Sequence, residues 1–543
     1  MPAEERSKLL LQRALYFLAA VLLADYLYTA WTWIAWNRRP GLDQDVWLMG
    51  ALAVREGRGL AMGNDHPLYT AILSLWAGRS PSVFTFSKLF SLLVGSATIA
   101  ATYRIGEILF DRETGLLAAA ALGLNWITLS LSMSLRAEVL LPPLFLLHWY
   151  CVRRGFSSDG RWWLGGGFFA GLAYLTKGTG TLLVIAWFVS AAVAFSKDRS
   201  VARKIPWFLA GYLPLAALLW WGNSRLFGDA TYNFSVRHAM WLDSWADLPN
   251  RTREELTFLG YLSSHGISGM ALRLLKGVVS FIPVSLSCLA PSDSHPLAYL
   301  LRWPLAAAAC VSLGARRRRV WDALKRRDGG AWHTAGLFGI FFGLFAWYQQ
   351  VSSSERFVGP LNPVWMILIA STVLAALREG RRRFLRDARL KRYLSWAAAA
   401  AAGCSALVLG MKVQNWGMLN PFVSDRPPAC YRQVHAMIDH GEEPVLFGRS
   451  GELTPWYLSA APPLVTLPES AGARDDLSEW LSANGVRRFV VDWDMADRPF
   501  LKGYFTRVSG QEGVRQIRPL PGWERVYRDE YHSPPHVLVY RRL

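Results

Sequence analysis

The chain has 543 residues, of which 52% are hydrophobic, and its 59 Lys and Arg against 40 Asp and Glu give a formal net charge of +19. The apolar residues form long blocks and the basic residues lie in short segments between them, so the charge indicates membrane topology and argues against nucleic-acid binding. The five cysteines are odd in number and scattered, which argues against a disulfide framework.

The apolar blocks predict about eleven transmembrane helices, because a helix needs roughly 20 apolar residues to cross the hydrocarbon core. The first block follows Arg6, Lys8 and Arg13 and is too long for a cleaved signal peptide, so we expect a retained signal anchor. The predicted spans are residues 9–36, 83–110, 115–133, 138–152, 162–176, 180–196, 205–222, 297–314, 332–349, 358–377 and 394–412.

Basic clusters orient these spans, because cytoplasmic loops retain Lys and Arg. With the N-terminus inside, four basic segments fall on the cytoplasmic side, and they are residues 153–161, 197–204, 316–327 and 378–392. An odd number of spans then places the C-terminal region outside. The expected fold class is a multi-pass α-helical membrane protein with a small C-terminal soluble α/β domain.

Residues 267–290 are apolar enough to span, but a span here would move Arg316–Arg319 to the outer side. We therefore interpret this segment as an interfacial helix, amphipathic through Arg273 and Lys276, or as a re-entrant element. Twelve or thirteen spans are the alternative.

The predicted topology divides the chain into a transmembrane domain, residues 1–412, and an extracytoplasmic α/β domain, residues 413–543. Two long outer loops, residues 37–82 and 223–296, belong to the first domain. In the second, alternating apolar and helical stretches predict a βαβαβ order and a final strand. The predicted strands are Pro444–Phe447, Leu464–Leu467, Arg488–Val491 and His536–Tyr540, and the predicted helices are Thr454–Ala460 and Asp475–Ala483.

The first outer loop carries Asp43 and Asp45 immediately after the first span, at the start of an amphipathic helix. A carboxylate held at the membrane surface suits a general base that reaches reactants from both phases. Helix capping is the alternative interpretation, because Asp is a preferred cap residue. Asp65 and His66, later in the same loop, would support this site or a divalent ion, but no full set of metal ligands is visible.

Glu138 and its neighbour Arg136 lie in a short outer turn, where an acidic residue at the head of an apolar helix is costly unless solvated or paired. Pairing with Arg136 alone is the alternative to a functional role. Lys88, Lys177 and Arg356 lie at the outer interface against the positive-inside bias, which favours anion binding. The alternative for these cations is snorkelling to lipid headgroups.

The order and spacing of several segments resemble the GT-C superfamily of glycosyltransferases, within the bacterial branch similar to protein O-mannosyltransferases and the lipid A aminoarabinose transferase. The resemblance covers about residues 9–360. The segments are Asp43, Glu56-Gly57-Arg58-Gly59, His66-Pro67-Leu68-Tyr69, Lys88, Arg136-Ala137-Glu138, Leu175-Thr176-Lys177 and Glu355-Arg356-Phe357 with Pro360.

The resemblance implies an inverting sugar transfer from a polyprenyl-phosphate donor at the outer face of the bacterial inner membrane. It implies that Asp43 acts as the base or orients the acceptor and that Glu138 is the second acidic position. Lys88, Lys177 and Arg356 match cations near the lipid phosphate. Four residues are expected to support this site, and they are Asp45, His66, Arg136 and Glu355.

The expected partners are a lipid-linked sugar donor, membrane lipids and a glycan, lipid or protein acceptor, such as lipopolysaccharide. We expect a monomer with no obligatory metal or other cofactor and no nucleic-acid partner. A transporter or flippase is the alternative function, although it would favour inverted repeats and mid-span charges that the sequence does not show. A non-catalytic envelope assembly protein is the third interpretation.

Overall fold

A computed structural model places the chain in a mainly helical bundle followed by a small mixed sheet. The structure describes residues 3–36, 44–57, 59, 66–78, 82–244, 255–289, 314, 317–318, 320–352, 355–384, 434, 437, 445–447, 464–466, 477–483, 485–492, 496, 501, 503–508, 513–530, 533–535 and 537–543.

The described helices follow the apolar blocks closely. They are α1 (Ala3–Trp36), α2 (Gln44–Arg55), α3 (Pro67–Ser74), α4 (Ser82–Leu109), α5 (Arg112–Gly123), α6 (Trp126–Ser132), α7 (Leu141–Ser157), α8 (Trp162–Thr176), α9 (Thr181–Phe195), α10 (Ile205–Phe227), α11 (Phe234–Arg237), α12 (Phe258–Ser287), α13 (Gly329–Tyr348), α14 (Asn362–Phe384) and α15 (Leu477–Ala483). Short 3-10 turns cover Ala137–Leu140, Gly178–Gly180, Arg199–Lys204, Ala239–Trp241, Glu355–Phe357 and Gly359–Leu361.

Among the described residues, five helices are long and apolar enough to cross a membrane, and a bent pair adds a sixth. The protein is therefore a transmembrane protein, whereas eleven spans stay a prediction. The predicted spans 297–314 and 394–412 lie outside the described residues. The five helices are residues 82–109, 178–195, 199–227, 258–286 and 329–348.

The predicted span 115–133 differs from the structure, in which two short helices replace one long one. The break falls at Asn125, whose Oδ1 accepts from the Thr128 backbone at 3.1 Å and caps α6. Its Nδ2 donates to the Cys288 carbonyl at 2.7 Å. Beyond α6 the chain bends by 117° into residues 137–157. The polar Asn125 side chain thus ends one helix and starts the next inside an apolar stretch.

Helices α8 and α10 approach each other closely because each carries a glycine at their contact. A Cβ at Gly167 would collide with the Phe208 carbonyl, and a Cβ at Gly211 would collide with the Leu164 carbonyl. Small residues at such positions let helix backbones meet within a membrane. This contact fixes α8, the helix that ends immediately before Lys177.

Helix α12 differs from the amphipathic helix expected for residues 267–290. Arg273 is buried, with only 3% exposed, whereas Leu275 and Val279 are exposed by 61% and 63%. Its guanidinium lies over the Trp347 ring at 4.4 Å and donates to the Met240 carbonyl. Arg273 therefore packs against protein, whereas Lys276 is exposed together with Leu275 and Val279, so this helix does not separate a charged face from an apolar face.

The C-terminal region contains a five-stranded sheet in the order β2-β1-β3-β7-β6. The first three strands are parallel, as the βαβαβ pattern predicts, and β7 and β6 add antiparallel. The strands of this sheet are β1 (Val445–Phe447), β2 (Leu464–Thr466), β3 (Arg488–Asp492), β6 (Trp523–Arg528) and β7 (Val537–Arg542). A separate two-stranded sheet pairs β4 (Phe505–Arg507) with β5 (Val514–Gln516). The predicted helix 454–460 and the domain boundary at 412 lie outside the described residues.

Candidate active site

The centre of the site is an ion pair between Glu138 and Lys177. Glu138 lies in the 3-10 turn between α6 and α7, and Lys177 follows the last residue of α8. The Lys177 Nζ is 2.5 Å from Glu138 Oε1, and the exposed fractions of the two side chains are 34% and 8%. A buried carboxylate needs such a partner, because an unpaired charge there would be strongly unfavourable.

A second cation faces the same carboxylate. Arg356 lies in the turn Glu355–Phe357 and interacts electrostatically with Glu138. Its guanidinium carbon is 5.3 Å from the centre of the Phe357 ring. The structure therefore brings together three predicted site residues, with one carboxylate between two positive charges. The sequence offered Arg136 as a neutralising partner, and the structure shows an ion pair between Glu138 and Lys177.

Tyr69 lies beside this cluster and is a residue that the site prediction did not include. Its side chain is fully buried, its hydroxyl lies 3.4 Å from Ser91 Oγ, and it bonds to the Arg136 backbone. Burial raises the pKa of Tyr69, with Glu138 adding to the shift, so the phenol stays protonated. The signal available in the sequence was Pro67, which predicts a helix start and places Tyr69 in its first turn.

His66 lies next to Lys177 and is fully enclosed by protein. Its Nε2 is 3.0 Å from Asn233 Nδ2, and its ring meets the Tyr174 ring edge-on at 5.5 Å. Burial lowers the pKa of His66 to about 4, and the charge of Lys177 acts in the same direction. His66 is therefore neutral at physiological pH, so the positive charge beside it is that of Lys177.

The remaining predicted residues are placed as follows. Asp43 lies outside the described residues, as do the side chains of Asp45 and Glu355. Gln44, the residue after Asp43, accepts a hydrogen bond from the Leu135 backbone at 2.9 Å. This bond ties the start of α2 to the turn that carries Glu138.

Lys88 lies on α4 and is buried against α1. Its Nζ donates to the Ile34 carbonyl at 3.1 Å and lies 4.0 Å from the centre of the Phe84 ring. It is one helical turn before Ser91, the neighbour of Tyr69. Lys88 is thus adjacent to the cluster along α4, and its role at the lipid phosphate stays a prediction.

The cations of the cluster can bind an anion, and its carboxylate interacts with these cations. Within the part of the chain that the structure describes, no group of three or more His, Cys, Asp or Glu residues is arranged to hold a metal ion. Cationic side chains close to a buried carboxylate can stabilise negative charge that develops on a phosphate oxygen. The carboxylate in turn holds Lys177 in one orientation through a charge-assisted hydrogen bond.

Known proteins resemble this chain in part of its sequence and in its fold. Residues 69–221 match the family model described as dolichyl-phosphate-mannose-protein mannosyltransferase. The matched range includes Tyr69, Lys88, Glu138 and Lys177, and it ends before Arg356. The chain has the fold of the GT-C glycosyltransferases, and the predicted resemblance to that superfamily is confirmed.

Two solved structures illustrate the shared fold. ArnT from Cupriavidus metallidurans in the apo state aligns with a TM-score of 0.54 at 14% identity, over 96% of this chain and 97% of that chain. The apo oligosaccharyltransferase from Archaeoglobus fulgidus aligns with a TM-score of 0.51 at 12% identity, over 90% of this chain and 73% of that chain. No curated protein matches the chain by sequence.

Proposed function

We propose that this protein is a membrane glycosyltransferase that moves a sugar from a polyprenyl-phosphate donor to an acceptor at the outer face of the bacterial inner membrane, with inversion. The observation that carries the proposal is the Glu138–Lys177 ion pair with Arg356 beside it. The confirmed resemblance to GT-C glycosyltransferases supports the reaction class.

The leaving group explains why cations are needed. A sugar that leaves as polyprenyl phosphate departs with a low-pKa group, so no general acid is required. Lys177 and Arg356 would stabilise the charge that develops on the phosphate. Glu138 would hold the Lys177 ammonium in place, and Lys88 would contribute from α4. Lys177 and Arg356 together carry two positive charges against the one negative charge of Glu138, which favours binding of an anion.

The base in this proposal is Asp43. Its carboxylate takes the proton from the acceptor group, whose oxygen or nitrogen attacks the anomeric carbon. The bond from that carbon to the phosphate oxygen breaks, and the electron pair leaves with the polyprenyl phosphate. Direct displacement inverts the anomeric configuration. The proposal uses no metal ion.

The membrane orientation, the C-terminal domain, the oligomeric state and the acceptor are the remaining parts of the proposal. The N-terminus is cytoplasmic, the α/β domain of residues 413–543 is periplasmic and bears on acceptor choice or lipid docking, and the protein acts as a monomer. The acceptor is a glycan, a lipid such as lipopolysaccharide, or a protein.

The experiment is a donor survey with purified protein reconstituted in lipid. Hexose, pentose and amino-sugar polyprenyl phosphates are supplied with envelope lipid and protein acceptors, and donor consumption is followed by mass spectrometry. We expect consumption of at least one donor and a product of inverted configuration. Donor movement between leaflets without consumption would support a flippase instead, and neither consumption nor movement would support an assembly protein.

A further inference from the structure

The outer loop between α10 and α12 carries a side chain that none of the roles above uses. Asn233 caps α11, because its Oδ1 accepts from the Val236 backbone at 3.0 Å. Its Nδ2 lies 3.0 Å from Nε2 of His66, 167 residues earlier in the chain. The cap fixes the orientation of the amide, so the amide nitrogen faces His66. His66 must then accept this bond through Nε2 and carry its proton on Nδ1.

This bond lies against the turn that presents Lys177. A Cβ at Gly178 would lie 3.1 Å from Asn233 Nδ2 and 3.6 Å from His66 Nε2. The residue after Lys177 is therefore packed against both partners of the bond. Lys177 itself has an extended backbone and leaves this turn toward Glu138. The position of the turn and the direction of the Lys177 side chain thus depend on the His66–Asn233 contact.

The loop is also attached on either side of Asn233. Before it, Asn223 Nδ2 donates to the Tyr232 carbonyl at 3.0 Å. After it, the Met240 carbonyl accepts from Trp347 Nε1 at 2.9 Å and from Arg273 Nη2 at 3.2 Å. These bonds join the loop to α10, α12 and α13, whereas the Asn233 bond joins it to the first outer loop. Within the loop, His238 Nδ1 also lies 3.1 Å from the Leu256 carbonyl. Loss of the Asn233 bond would therefore loosen the residues next to Asn233 while the rest of the loop stays attached.

The contact works only while His66 is neutral. In the described structure, the titratable groups that face the ring are Tyr174 on α8 and Lys177 on the next turn. Burial and the charge of Lys177 both disfavour the protonated imidazole. A proton on Nε2 would also oppose the Asn233 N–H donor. The contact is therefore insensitive to pH across the neutral range.

We propose that Asn233 is a positioning residue, which fastens the outer loop of residues 229–242 to the neutral imidazole of His66 and so holds the Lys177 turn against the donor phosphate. The part of this proposal that concerns the phosphate rests on the proposed function. The fastening of the loop does not.

Asn233→Asp tests the proposal, because it keeps the cap on α11 and replaces the donor to His66 with an acceptor. The contact then forms only when His66 carries a proton on Nε2, and the new carboxylate raises the pKa of His66. At pH 8 we expect the donor KM to rise by about five- to tenfold with kcat little changed, as for the loss of one hydrogen bond. At pH 6 we expect the donor KM of this variant to exceed that of wild type by a smaller factor. The donor KM of wild type should be the same at pH 6 and pH 8.

Two further variants control this result. Asn233→Ala loses the donor at every pH, so its increase in KM should not depend on pH. Asp198→Asn is the reverse exchange of Asp and Asn at another cap. Asp198 lies on the predicted inner side and accepts from the Ser200 backbone at 2.9 Å. We expect this variant to match wild type. A wild-type KM for Asn233→Ala, or a pH-independent defect in Asn233→Asp, would overturn the proposal.

A readout without substrate separates this proposal from the proposed function. Backbone hydrogen exchange of residues 234–242 is measured at pH 6 and pH 8 and corrected for the intrinsic exchange rate. We expect faster exchange in Asn233→Ala at both pH values and in Asn233→Asp mainly at pH 8. If wild type transfers no sugar but exchange follows this pattern, the function is wrong and the fastening stands. Unchanged exchange in both variants would refute the fastening.

Discussion

Glu138 Oε1 and Lys177 Nζ lie 2.5 Å apart, although 39 residues separate them in the sequence. The ion pair crosses from the turn before α7 to the end of α8, so it joins two helices at their predicted outer ends. It thus serves the fold as well as the proposed chemistry, and the two contributions are separable by mutation.

Lys177→Met should lower stability, because it removes the cation that is hydrogen-bonded to the buried Glu138 carboxylate. We expect a loss of about 2–3 kcal/mol, below the ~3–5 kcal/mol of a fully buried pair because Lys177 is partly exposed. Thermal unfolding in detergent measures the effect. The double variant Glu138→Gln with Lys177→Met should recover most of this loss and still lack transfer activity. A double variant as unstable as Lys177→Met would show that the loss does not come from an unpaired Glu138 carboxylate.

Asp43→Asn should abolish glycosyl transfer, with turnover reduced by about 10²–10⁴-fold, because the amide cannot accept the acceptor proton. Turnover of the donor identified in the survey is the measurement. Membrane insertion and thermal stability should match wild type. Asp111→Asn is the matched control, because Asp111 caps α5 through the Thr114 backbone and Asn caps equally well. Wild-type turnover by Asp43→Asn would refute the assignment of the base.

Arg356→Met should weaken binding of the lipid phosphate, because it removes one of the two cations that face Glu138. We expect the donor KM to rise by about 10–100-fold, as for loss of a charge-assisted hydrogen bond worth ~1.5–3 kcal/mol. Arg356→Lys should recover part of the loss. Arg104→Met, which removes an exposed cation paired with Glu107, is the control and should leave the KM unchanged. Equal KM values for Arg356→Met and Arg104→Met would exclude Arg356 from the phosphate site.

His66 predicts a pH dependence of stability. The pKa of His66 is lowered from 6.5 to about 4, so between these values the unfolded chain binds a proton that the folded protein does not. Stability from this group is complete above pH 6.5 and falls as the pH drops toward 4, by on the order of 3 kcal/mol in total. The thermal midpoint at pH 7 and pH 5 measures it. His66→Gln keeps an acceptor for Asn233 but cannot titrate, so its midpoint should fall less between these two pH values. An equal fall in both proteins would exclude His66 as a source of the dependence.

The helices were predictable where one apolar run forms one helix. The predicted span 162–176 coincides with α8, and 83–110 differs from α4 by one residue at each end. The span 115–133 was wrong because hydrophobicity does not reveal that Asn125 will cap a new helix. Strands β4, β5 and β6 were missed because each carries arginine and lacks the short apolar run that marked β1 and β2.

The site was predictable residue by residue but not as an arrangement. Glu138, Lys177 and Arg356 were found because charges at the outer interface run against the expected distribution. Their pairing was not predictable, because it depends on how α7 and α8 pack. Asn233 has no such signal in the sequence, because an Asn in a polar loop is ordinary. Its importance follows only from its contact with His66.

The glycine contact between α8 and α10 has a consequence for motion at the site. Lys177 follows α8, and the loop that carries Asn233 follows α10. Because the backbones of these two helices are in contact, we expect Lys177 and this loop to move together. The opposite side of the cluster is different, because Arg356 is carried on a three-residue turn between α13 and α14. We therefore expect the lipid chain of the proposed donor to enter and leave past Arg356, while the Lys177 side of the site stays in place.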